Sequence, residues 1–141
     1  MSYPAYVPGR TARPPEDTFL DLRKSVTAGM MEEELAASPA WRAGWQFYGA
    51  GYFWEAHEVW EPVWMQLPPN SAARHIAQAA IQLANAELKI RMERTRAARR
   101  LCALVREHAG RTGGERVMGL CSDDLVALVE KVENRLTSNA K

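Results

Sequence analysis

The residues best equipped for chemistry in this chain sit in one stretch, Tyr52 to Gln66, where Glu55, His57, Glu58 and Glu61 fall among tryptophans. On a helix, Glu55, Glu58 and Glu61 follow one another at three-residue steps and His57 stands one turn before Glu61. Four ionisable groups therefore share a flank with Trp54 and Met65. The opposite face, made of Tyr52, Ala56, Val59, Trp60 and Val63, is mostly apolar and reads as core. Solvent-facing helix surfaces seldom mix carboxylates with so much tryptophan, so part of the flank is expected to be covered, and buried carboxylates demand partners. Pro62 sharpens the point: inside a helix it removes the bond to the carbonyl of Glu58, which then needs a donor or a ligand.

Two chemistries fit this flank. Imidazole and carboxylates suit a divalent metal such as zinc, iron or manganese, which makes His57, Glu58 and Glu61 candidate metal ligands. The same groups with Glu55 are candidate acid and base catalysts. Ferritin-like centres use a Glu-x-x-His step on two helices, and here a second set would have to come from His75, Glu87, Gln78 or Gln82, or from a twofold partner. The other reading is a hydrogen-bonded polar network in which His57 pairs with Glu61, the domain being a binding or assembly module. It needs the fewest unseen partners and leads; whether any reaction is catalysed stays open.

Two further stripes carry candidates. Gln78, Gln82 and Asn85, with Lys89, form a narrow polar stripe on the next helix: either a solvent face, or amides turned toward the glutamate helix to bind a ligand. Arg96, Arg99 and Arg100, with Arg106, lie opposite Leu101, Cys102, Leu104 and Val105 and are candidates for holding anions. No aromatic residue interleaves with these arginines, so nucleic acid is not favoured. His75 and His108 fall at helix ends, where local roles are expected. A Gly-rich phosphate loop, a Gly-x-Ser-x-Gly elbow and a Cys-x-x-Cys pair are all missing, which disfavours nucleotide-dependent and classical hydrolase chemistry.

The elements that must position these groups are legible from punctuation. Pro14-Pro15-Glu16-Asp17 reads as a helix start ahead of Phe19, Leu20, Leu22 and Val26, with Gly29 interrupting and Met30 to Ala37 a short second piece. Ser38 caps a helix with Pro39 at its first position, and that helix stops near Gly49 to Gly51. Leu67-Pro68-Pro69 ends the glutamate helix, Asn70 or Ser71 caps the longest one, and Thr95 caps the next, which ends before Gly110. Ser122-Asp123-Asp124 opens the last. No stretch alternates with period two. The expectation is an all-α, single-domain helical bundle of about five to six helices with short loops, occupying residues 16–141 behind a flexible N-terminal arm, 1–15.

At 141 residues the chain can bury one core without staples, and 47% hydrophobic with 25% charged residues is ordinary globular composition. A net charge of +1 gives no global field toward nucleic acid or lipid. No apolar run approaches the roughly 20 residues that span a bilayer, and the start lacks a secretory apolar stretch. Cys102 and Cys121 both sit in apolar helical context, which suits inert thiols in a reducing compartment, so a cytoplasmic location is expected. Five tryptophans on two adjacent helices are more than a domain this size easily buries alone, which points to a homo-oligomer.

The run GYFWEAHEVWEPVW, Gly51 to Trp64, with AIQLANAELKI, Ala80 to Ile90, and AARRL, Ala97 to Leu101, resembles the bacterial and archaeal domain-of-unknown-function 309 family over roughly Ser38 to Arg106. The Glu-x-His-Glu core is its most specific element. The resemblance implies a small helical bundle and no established activity. This chain has Lys89 where relatives often show histidine, and Glu93-Arg94 in place of a Gly-Asn turn.

Overall fold

The computed structural model describes residues 4–139. Seven helices occur among them: α1 Leu20–Lys24, α2 Glu32–Ala36, α3 Pro39–Gly49, α4 Phe53–Gln66, α5 Ala72–Arg91, α6 Thr95–Ala109 and α7 Ser122–Asn139. The count exceeds the expected five to six because both N-terminal pieces form, as α1 and α2, each five residues long, too short to hold together without the core they lie on. No strand forms among the described residues, and the all-α bundle holds as read from the sequence.

Proline and serine set several boundaries where the sequence placed them. Ser38 Oγ accepts from the Trp41 N–H at 3.2 Å with Pro39 at the first helical position. Ser71 Oγ accepts from the Arg74 N–H at 3.1 Å and settles the cap of α5 in favour of Ser71 over Asn70. Two starts differ from expectation. Pro14 to Asp17 stays non-helical and α1 begins only at Leu20. Thr95 is the first residue of α6 rather than its cap; Arg94 holds that position without a side-chain bond.

Sequential helices pack on one another from α3 to α7, and α5 also meets α7. Contact with α4, α6 and α7 makes α5 the central rod, and its seven alanines let neighbours approach on several sides. α5 ends in a Schellman turn: the Arg94 N–H reaches the Lys89 carbonyl at 2.8 Å, the Glu93 N–H reaches Ile90 at 2.9 Å, and Glu93 takes φ +60°. This is the left-handed position at which glycine is the usual residue.

The five tryptophans divide between buried and half-buried positions. Trp60 and Trp41 are buried, and Trp45, Trp54 and Trp64 pack half-buried against the core. The Trp60 indole N–H donates to the Trp41 carbonyl at 3.1 Å, and the Trp41 indole N–H to the Met118 carbonyl at 2.9 Å. Gly44 makes room for this arrangement, since a Cβ there would lie 1.9 Å from Trp60 Nε1.

The segment expected as an arm touches α4 through Tyr6 and Arg13. Val7 is buried, the Tyr6 ring meets Trp54 edge-on at 4.9 Å, and the Arg13 guanidinium lies 5.6 Å from the centre of the same indole. Among the described residues no helix is long and apolar enough to cross a membrane. Cys102 is buried and its thiol is pushed up to about 11, chiefly by burial, as an inert core thiol should be; Cys121 is half-buried and also free.

Candidate functional site

The core face of α4 is Phe53, Ala56, Val59, Trp60 and Val63, with Tyr52 only half-buried at the cap. Glu55 is buried along with this face. Its Oε2 accepts from the Tyr6 backbone N–H at 2.8 Å, so the N-terminal segment supplies the partner. Oε1 has no hydrogen-bond partner among the described residues. Burial pushes the carboxyl above its ordinary value, against the opposing pull of the Tyr6 N–H.

Glu58 faces α1. Arg23 Nη1 lies 3.0 Å from its Oε2 and also donates to its backbone carbonyl at 3.1 Å. That carbonyl is the one Pro62 deprives of an N–H, so a guanidinium from another helix stands in for the missing backbone donor. His57 bridges toward two carboxylates. Its Nε2 is 3.1 Å from Glu61 Oε2, one turn on, while its Nδ1 is 3.7 Å from Glu58 Oε1 and makes no hydrogen bond. Donor atoms of His57, Glu58 and Glu61 lie within 4.8 Å of one another, all three residues half-buried.

The second set of ligands considered for a two-helix centre does not converge on this cluster. Glu87 is buried elsewhere, its Oε2 accepting from the Tyr48 hydroxyl at 3.1 Å and its Oε1 ion-paired with Arg135. Burial, and then the neighbouring Glu87 carboxylate, push the Tyr48 phenol up. Gln78, Gln82 and Asn85 are half-buried rather than on a plain solvent face, and the contact between Asn85 Nδ2 and Gln82 Oε1, at 3.4 Å, stays within the stripe. Among the described residues none of the three bonds to an α4 carboxylate. Arg96, Arg99 and Arg100 are exposed on α6, as an arginine face should be, and Arg106 pairs with Glu133 of α7 at 2.6 Å.

Two arrangements escaped the sequence reading. His75 and His108, 33 residues apart, meet Nδ1 to Nδ1 at 3.0 Å beside Trp64 and Gln78. With the ring centroids 5.3 Å apart the nitrogens meet head-on, the geometry of an N–H···N bond whose direction the tautomers set. Burial and then the adjacent His75 hold His108 below the ordinary histidine value. The second arrangement is a cleft of about 760 Å³ where the α3–α4 turn, the end of α5 and α7 meet, with Tyr48, Phe53, Glu87, Arg91, Lys131 and Arg135 in its walls. Only the packing of α7 on α5 gathers these residues.

The comparisons with known proteins speak only to the stretch from α3 into α6. No curated protein and no solved structure matches the chain. The family model of a domain of unknown function, DUF309, matches residues 41–101, from α3 into α6, a stretch that includes the Glu-x-His-Glu helix.

Proposed function

We propose that this domain is a binding module in which the Glu/His flank of α4 is a structural polar network. The observation that carries this reading is the Arg23 guanidinium, which satisfies the Glu58 carboxylate and the carbonyl freed by Pro62 together. With Tyr6 on Glu55 and His57 on Glu61, the flank fastens α1 and the N-terminal segment to the bundle. A divalent cation at Glu58 would have to share that carboxylate with a guanidinium about 3 Å away, a like charge that weakens metal binding. The network reading expects His57→Ala and Glu58→Ala to lower the melting temperature by several degrees, through partners left unsatisfied.

A second reading, a metal centre at His57, Glu58 and Glu61, is favoured by the three converging donor atoms and by the unbonded His57 Nδ1. Elemental analysis of untagged protein purified without chelator separates the two. The network reading expects no stoichiometric metal; zinc, iron or manganese at one equivalent, lost in Glu58→Ala, would replace it with the metal centre.

A further inference from the structure

The cleft between the α3–α4 turn, α5 and α7 holds charge in an unbalanced way. Three cations line it, Arg91, Lys131 and Arg135, against a single carboxylate, Glu87. That leaves a local excess of two positive charges in a chain whose total is +1. Glu87 cannot serve an incoming cation, because both oxygens are engaged, one by Arg135 and one by Tyr48.

Arg91 is held in place without being neutralised. Its Nη1 donates to the Gly51 carbonyl at 2.5 Å and its guanidinium lies 4.6 Å from the centre of the Phe53 ring. A backbone carbonyl and an aromatic face orient the group, and no carboxylate among the described residues forms an ion pair with it, Glu55 acting on its charge only from a distance. The turn can close on it only because residue 51 is glycine: φ is +86°, and a Cβ there would sit 2.7 Å from Arg91 Nη2. Lys131, on α7, makes no ion pair among the described residues. Tyr48, Phe53 and Leu128 supply apolar wall beside these cations. The volume falls within the usual range for small-molecule sites, about 300–1,000 Å³.

From these features we infer that the cleft binds a small organic anion, a carboxylate or phosphate monoester carried on an apolar body, with Arg91 and Lys131 meeting the charge and Phe53 and Tyr48 the body. The inference rests on the reading of the domain as a binding module. Phenyl phosphate and benzoate serve as probes, inorganic phosphate as the anion without a body and benzylamine as the body without an anion, followed by amide chemical shifts of the full chain. Saturable shifts at Gly51 and Arg91 with phenyl phosphate or benzoate, weaker with inorganic phosphate and missing with benzylamine, are expected. Lys131→Ala should weaken binding about tenfold, with the effect shrinking as salt rises. Arg91→Met should weaken it further, and because that variant loosens the Gly51 turn, the fully exposed Lys131 change remains decisive if it misfolds. No saturable shift at millimolar anion, equal binding of benzylamine or inorganic phosphate, or binding unchanged by Lys131→Ala would each overturn the assignment. Failure of the network reading of α4 would register separately, as stoichiometric metal in the untreated protein.

Discussion

Replacing Arg23 by methionine tests whether a side chain really takes over a backbone bond in α4. Two interactions end together: the donation to the Glu58 carbonyl and the ion pair with the Glu58 carboxylate. The carbonyl is the larger part, since a partly buried acceptor left without a donor costs about 1–3 kcal/mol. The ion pair adds little: the Arg23 side chain is 39% exposed and Glu58 24%, so solvent screening holds it to roughly 0.5 kcal/mol. A loss of about 2 kcal/mol follows, or roughly 6–8 °C in melting temperature for a domain of this size. The decisive comparison is a double-mutant cycle with Pro62→Ala, read by urea denaturation of the four proteins. Alanine restores an N–H at position 62, which can bond the Glu58 carbonyl directly, so Arg23→Met in that background should cost only the ion pair, about 0.5 kcal/mol. A coupling of about 1–1.5 kcal/mol is expected. Additivity of the two substitutions within about 0.5 kcal/mol would refute the reasoning, because independent sites add to that tolerance.

Two further outcomes are expected. Glu93→Gly should stabilise the protein by about 1 kcal/mol in urea denaturation, because glycine removes the left-handed strain at φ +60° and the exposed Arg10–Glu93 pair it sacrifices is worth little; a net loss would mean that pair outweighs the strain. His108 titrates below its unfolded value of 6.5, so its contribution to stability is complete above that pH and is lost as the pH falls through the lower folded value. Melting temperatures measured downward from pH 7.5 should therefore decline less steeply below 6.5 in His108→Gln than in the parent, and identical slopes would remove His108 from the acid response.

What could be read from the sequence depended on the distance over which each signal acts. Ser38-Pro39 and Pro68-Pro69 act on their own backbone, so the limits of α3 and α4 were visible, and the period of Ala56, Val59, Trp60 and Val63 gave the core face. The demand for a donor at Glu58 was also visible, because proline chemistry is local. Its supplier was not: Arg23 lies 35 residues away in a helix of five residues whose own pattern is faint. The polar stripe of α5 read as a solvent-or-site alternative because helix rotation alone does not reveal that a rod rich in alanine is wrapped by three neighbours. For the same reason the cleft could not be seen. Its residues come from three separated stretches, and the ordinary signs of a helix end at Gly49 to Gly51 and of a charged last helix masked what packing makes of them.

The indole relay from Trp60 through Trp41 to Met118 also bears on the order in which the molecule assembles. Its first bond spans 19 residues and joins adjacent helices, so it can close as soon as α3 and α4 collapse on Gly44. Its second spans 77 residues and must wait for α5 and α6 to be laid down between its ends. Chain closure over that length is entropically late. The Val117–Leu120 turn that presents the Met118 carbonyl is therefore expected to lock after the α3–α4 pair. In refolding followed by tryptophan-specific probes, the Trp60 environment is therefore expected to settle before the Trp41 indole, and simultaneous change would refute that order.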